Sequence, residues 1–94
     1  MTAEQIIIQP VVTEKTNHYK DLKKYVFKVN ARANKFEVRR AVNQLFNVHC
    51  ESCRIINVKS KPKRVRYKKG YTATWKKAIV TLPANETITV FEGA

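Results

Sequence analysis

Thirteen residues from Asn34 to Phe46 set the terms for the rest of the chain. Val38, Ala41, Val42, Leu45 and Phe46 recur at helical spacing, so a helix here carries one apolar stripe. Lys35, Arg39 and Asn43 fall on the opposite side. Asn34 can cap the helix, with Glu37 three residues on in the capping-box position, and Asn47 suits a left-handed terminator. A stripe of this kind must be buried against something. The neighbouring segments alternate with a period of two instead.

Lys24 to Asn30 places Tyr25, Phe27 and Val29 on one side and Val26 and Lys28 on the other. Cys50 to Lys59 forms a second long strand, with Ile56 and Val58 expected toward the core. A third runs from Trp75 or Lys76 to Leu82, with Ala78, Val80 and Leu82 on one face and Ile79 and Thr81 on the other; Pro83 ends it. Ile6 to Ile8 fits a short edge strand stopped by Pro10, after a loose start from Met1 to Gln5. Thr13 is placed to cap a short, polar, exposed helix running to about Lys20. Thr87 to Phe91 is expected to pair briefly near the C-terminus.

The fold class is therefore α+β. We expect a small antiparallel sheet of about four strands with helices packed on it, a ferredoxin-like or RRM-like layout, and a hairpin joining the last two long strands. With 94 residues the chain suits a single domain, 1–94. The hairpin connection, 60–75, is an extended basic loop. Loops that long in compact domains are usually functional or disordered.

That connection carries the chemistry. Lys59 to Lys77 holds nine Lys and Arg residues with Tyr67, Tyr71 and Trp75 among them, and no acid falls between Ser52 and Asn85. Of the formal net charge of +12, residues 52–94 contribute ten Lys/Arg against two Asp/Glu, and residues 1–51 nine against five. A solvated charge run is the ordinary explanation of a basic stretch. Rings interleaved with cations favour a polyanion instead: phosphates neutralise the lysines and arginines, and bases stack on the rings. Arg64 and Arg66 can grip phosphate with two donors, whereas lysines act as point charges.

Other chemistries have little support. His49-Cys50-x-x-Cys53 is half of a zinc site, with no second pair and His18 as the one other histidine. A redox pair wants a strand-then-helix setting, and this one leads into a strand. Buried small hydrophobes are the favoured reading, with no metal or other cofactor. No P-loop, nucleophile elbow or dinucleotide fingerprint is present, so no enzyme is expected. The apolar runs are too short to span a bilayer, the N-terminus lacks a secretory pattern, and the two cysteines suit a reducing cytoplasm.

The blocks IIIQPVVTEKT, YVFKV, NKFEVRRAVNQLFNV, INVKSKPKR and WKKAIVTL, in this order, resemble the bacterial ribosomal protein L23 family of the large subunit. The resemblance covers nearly the whole chain. It implies a small α+β fold with a long hairpin loop that binds large-subunit ribosomal RNA beside the polypeptide exit tunnel. Neighbouring large-subunit ribosomal proteins are then partners, and no homo-oligomer is expected. It also implies a dock for the ribosome-associated chaperone, trigger factor, and for the signal recognition particle. The family's chaperone-docking glutamate lies in a Ser/Thr-Glu-Lys block, which Thr13-Glu14-Lys15 matches, so Glu14 is the carried-over position. The RNA-binding candidates are Lys61, Lys63, Arg64, Arg66, Lys68, Lys69, Lys76 and Lys77, with Tyr67, Tyr71 and Trp75 stacking and Lys15 adding a contact beside the short helix.

The chain departs from the family pattern at three places. Ser60 stands where glycine is frequent, Val65-Arg66-Tyr67 replaces a further loop glycine, and Cys50 and Cys53 sit where aliphatic residues are common. The rival from another class is a free-standing RNA-binding regulator with an RRM-like sheet. Arg54 to Val58 lacks the glycine-aromatic strand motif that such a sheet uses for stacking.

Overall fold

The computed structural model describes residues 1–58, 62–65, 68–71 and 74–88, with backbone only for 62–65 and 68–71. Four strands form one antiparallel sheet: β1 (Ile7–Pro10), β2 (Lys24–Val29), β3 (Ser52–Val58) and β6 (Trp75–Thr81), in the order β1-β2-β6-β3. Between β3 and β6 the chain forms a separate two-stranded ladder of β4 (Pro62–Val65) and β5 (Lys68–Tyr71). Helices α1 (Ala3–Ile6), α2 (Glu14–Lys20) and α3 (Lys35–Phe46) complete the described elements. No helix of the described residues is long and apolar enough to cross a membrane.

The α+β expectation is met. Helix α3 forms where its stripe and caps place it: Asn34 accepts from the Glu37 amide at 2.9 Å, Glu37 reaches back to the Asn34 amide at 3.2 Å, and Asn47 ends the helix with φ 53°. Val38, Ala41 and Val42 are buried, with Leu45 and Phe46 packed at the margin. They meet Tyr25, Phe27 and Val29 of β2 and Ala78 and Val80 of β6. Phe27, fully buried, stacks on Phe46 with centroids 5.5 Å apart. Truncation at Phe27 would cost ~3–5 kcal/mol.

Register decides which face each strand presents. Cys53 pairs with Val80 and Ile55 with Ala78, so Cys53 and Ile55 join the core. Ile56 and Val58, expected toward the core, instead lie on the outer face opposite Lys77 and Trp75. Four of the seven residues of β3 are apolar and Ile55 and Ile56 are adjacent, which leaves strand phase ambiguous until the partner strand resolves it.

Two further corrections fall at the N-terminus. Met1 to Gln5 is not loose: Thr2 and Gln5 make a reciprocal capping box for α1, which buries Ala3 and Ile6 and packs on α3. The edge strand consequently begins at Ile7 rather than Ile6, and carries a register irregularity between Ile7 and Gln9. Its last residue is Pro10, which an edge strand tolerates because no ladder bond is lost on the open side.

Near the other end, Thr87 and Ile88 lie outside any strand, and 89–91 are outside the described residues. Ile88 is a core residue, the Tyr25 and Thr87 hydroxyls lie 2.8 Å apart, and the Glu86 carboxylate accepts from the His49 amide at 3.1 Å. These contacts fasten the segment after β6 to β2 through Tyr25 and to the turn after α3 through His49.

Candidate nucleic-acid interface

The core face of the sheet is covered by α1 and α3. The outer face holds the side chains that alternate with the core set, and there the charge collects. Lys28 of β2 stands directly opposite Lys77 of β6. Trp75, two residues before Lys77, lies on the same face, paired with Val58. The Lys28 ammonium sits 5.9 Å from the centroid of the Trp75 ring, within cation–π range. Like charges directly opposite in an antiparallel pair destabilise the sheet. An anion seated between them would reverse the sign of that term.

Helix α2 packs against β2, and Val11, in the link that leads to it, donates its amide to the Val26 carbonyl at 2.9 Å. Between this link and the sheet runs a groove of about 410 Å³ lined by Gln9, Pro10, Val11, Val12, Thr13, Lys28 and Trp75. Thr13 forms a capping box with Thr16, so α2 begins at the rim of the groove. Glu14 and Lys15 follow in its first turn, both exposed, and neither has an ion-pair partner among the described residues.

Alternation separates the two adjacent candidate lysines. Lys77 belongs to the outer face. Lys76 turns to the helix side and donates from Nζ to the Ala33 carbonyl at 3.1 Å, tying β6 to the approach of α3. Lys61, Arg66 and Tyr67 lie outside the described residues, as do the side chains of Lys63, Arg64, Lys68, Lys69 and Tyr71. What is described of that segment is its backbone: Lys63 pairs with Gly70 and Arg64 with Lys69.

Lys28, Gln9, Pro10 and Val12 were not among the sequence candidates. Lys28 could be assigned to the outer side of its strand from alternation. Its apposition to Lys77 could not, because that depends on β6 inserting between β2 and β3.

The cysteine pair does something else. Cys50 is buried and its backbone is clamped from α3: Arg39 Nε donates to its carbonyl at 3.1 Å, and its amide donates to Asn43 Oδ1 at 2.9 Å. Arg39 and Asn43 thus hold the chain entering β3. Burial away from water pushes both thiols from 9.0 up to about 11, against a smaller lowering by Arg39. At neutral pH both are protonated, and neither metal ligation nor thiol exchange is favoured without a thiolate. They pack as small hydrophobes, Cys50 in the core and Cys53 at its edge.

Residues 5–90 match the family described as ribosomal protein L23. The chain is 49% identical over 94 residues to the large ribosomal subunit protein uL23 of Treponema denticola, with 100% of each chain covered. It is 48% identical over 98 residues to that of Borreliella burgdorferi, covering 97% of this chain and 100% of the relative. The corresponding protein of Thermotoga neapolitana is 41% identical over 93 residues, with 99% and 93% covered.

Proposed function

This chain belongs to the ribosomal protein L23 family, and from that premise we propose that it binds large-subunit ribosomal RNA beside the polypeptide exit tunnel, through the outer sheet face and the basic segment that joins β3 to β6. Its role is structural, without catalysis, in the large ribosomal subunit of the cytoplasm. Ribosomal RNA and neighbouring ribosomal proteins are its partners.

The observation that carries the RNA reading is the Lys28–Lys77 pair beside Trp75. It puts two cations that form no ion pair among the described residues, and a ring, on one face, and the sequence from Ser52 to Asn85 holds no acid. In the basic segment Lys61, Lys63, Arg64, Arg66, Lys68 and Lys69 contact phosphates, and Tyr67 and Tyr71 stack. Lys15 contacts RNA from α2. Lys77 is the stronger phosphate ligand of its pair, because Lys76 gives up its bond to Ala33 if it turns outward.

The experiment is binding of the purified chain to large-subunit ribosomal RNA across a salt series, with a DNA duplex as competitor. Roughly 6–10 phosphate contacts predict a loss of ~10³–10⁵ in affinity between 50 and 200 mM salt. Equal affinity for the DNA duplex at moderate salt would remove the reading.

The chaperone-docking role rests on the Thr13-Glu14-Lys15 block. Glu14 is exposed in the first turn of α2, where an anionic side chain is favoured and open to a cationic partner. The same end of the molecule would receive trigger factor and the signal recognition particle.

A further inference from the structure

We propose that the groove between the β1–α2 link and the outer sheet face holds one unpaired nucleotide of the ribosomal RNA, its base against Trp75 and its phosphate at the mouth between Lys28 and Lys77. The inference rests on the RNA-binding reading above and adds to it the site, the kind of nucleotide and the residues that hold it.

Four features of the groove converge on this occupant. The first is size. About 410 Å³ lies at the small end of the ~300–1,000 Å³ range of small-ligand sites, with room for a nucleoside. The second is the lining. Pro10, Val11 and Val12 give one wall an apolar character, and Trp75 offers a half-buried ring on the other. An unstacked base loses its neighbours when it leaves a helix, and an aromatic face replaces them.

The third feature is the irregularity in β1. Ile7 pairs with Val29 on the core side, yet Gln9, two residues on, pairs with Lys28 of the outer face. The extra residue, Ile8, is about half exposed. Such a bulge re-aims the side chains that follow it, and here it brings a carboxamide to the groove. Gln9 supplies both a donor and an acceptor, which suits the edge of a base and not a phosphate. The fourth is charge. Lys28 spans both functions, with its ammonium over the ring and its neighbour Lys77 across the ladder. A phosphate at that point meets two cations whose mutual repulsion it relieves. An A-form duplex would offer its phosphates to the lysines but keep its bases stacked and out of the groove.

Trp75 is the sole tryptophan, so its emission reports on this groove alone. The full chain is titrated with large-subunit ribosomal RNA and, separately, with a fully paired RNA duplex. Retention on a filter, Trp75 emission and acrylamide quenching are followed together. The expected result is binding of the ribosomal RNA with emission quenched and Trp75 shielded from acrylamide, and duplex binding with neither change. Trp75→Leu should lower affinity for the ribosomal RNA ~5- to 150-fold, from stacking worth about 1–3 kcal/mol. Lys28→Gln, which leaves the ring in place, should weaken both binding and quenching if Trp75→Leu fails to fold.

Binding of ribosomal RNA with unchanged emission overturns the nucleotide site and leaves the RNA-binding reading standing. Equal quenching by the paired duplex also overturns it. Absence of any retention on ribosomal RNA refutes the RNA-binding reading itself.

Discussion

Removing the Lys77 charge should make the free protein more stable and the RNA complex weaker. In the sheet Lys77 faces Lys28 directly across the ladder. Two unit charges about 7 Å apart repel by roughly 0.6 kcal/mol in a water-like dielectric. Screening at physiological salt, with a Debye length of ~8 Å, cuts that by about half. Like-charged cross-strand pairs fall in the same range, ~0.2–1 kcal/mol. Lys77→Gln therefore should raise Tm by about 1–4 °C at low salt, at ~4–8 °C per kcal/mol for a domain of this size. The gain should shrink as salt rises.

Lys28→Gln removes the same repulsion but also the cation–π contact with Trp75, worth about 0.5–1 kcal/mol at an exposed site, so its net effect on Tm should be near zero or slightly negative. Against large-subunit ribosomal RNA both variants should bind more weakly. Each should also lower the slope of log affinity against log salt by roughly 0.7–1, as one phosphate contact is lost. Thermal melts at 20 and 300 mM salt, with a filter-binding salt series, give both readings. A fall in Tm for Lys77→Gln at low salt, or a salt slope equal to that of the unsubstituted chain, would refute the reasoning.

Other expectations follow from single contacts. Asn34→Ala removes the side-chain acceptor for the Glu37 amide and should cost ~0.5–2 kcal/mol in a urea melt. Lys23 holds φ at 60° between α2 and β2, so Lys23→Gly should stabilise by up to about 1 kcal/mol in the same assay. Burial holds the Cys50 and Cys53 protons to about pH 11 in the folded chain, against 9.0 in the unfolded one. The thiol contribution to stability is thus whole below pH 9 and is lost as pH climbs to 11. At pH 8 both thiols should react with a disulfide reagent ~100-fold more slowly in the folded than in the urea-unfolded chain, since thiolate is the nucleophile. Glu14→Ala should weaken trigger-factor association with ribosomes and leave large-subunit assembly intact, as measured by co-sedimentation.

Much of the fold was legible because its signals are local. Asn34, Glu37 and Asn47 mark both ends of α3, and Thr13 marks the start of α2, through contacts within three residues. Tyr25, Phe27 and Val29 alternate cleanly with polar or outer residues, so the phase of β2 was unambiguous. The phase of β3 was not, because Ile55 and Ile56 are equally apolar, and Ala78 and Val80 in the partner strand decide between them. The ladder of β4 with β5 had no hydrophobic alternation to announce it. Lys63 and Arg64 are adjacent in sequence and alike in charge, as are Lys68 and Lys69, so the sequence shows no polar–apolar alternation there.

The candidate interface was half visible for a related reason. Trp75 and Lys77 stand in the basic segment or next to it and draw notice together. Lys28 and Gln9 join them only through pairing between segments far apart in the chain, and through the irregularity after Ile7. Arg39 and Asn43 looked like a solvent face by helical periodicity, yet both reach the Cys50 backbone. A polar residue beside a sheet edge can hold main chain as readily as it meets water, and periodicity does not distinguish the two.

The most direct test compares lysine acylation of the free chain with that of intact large subunits, quantified residue by residue. If the outer sheet face lies against RNA, Lys28 and Lys77 should both be strongly protected in the subunit and reactive in the free chain. Equal reactivity of Lys28 and Lys77 in the two states would mean that this face meets solvent in the assembled particle, and would contradict the account.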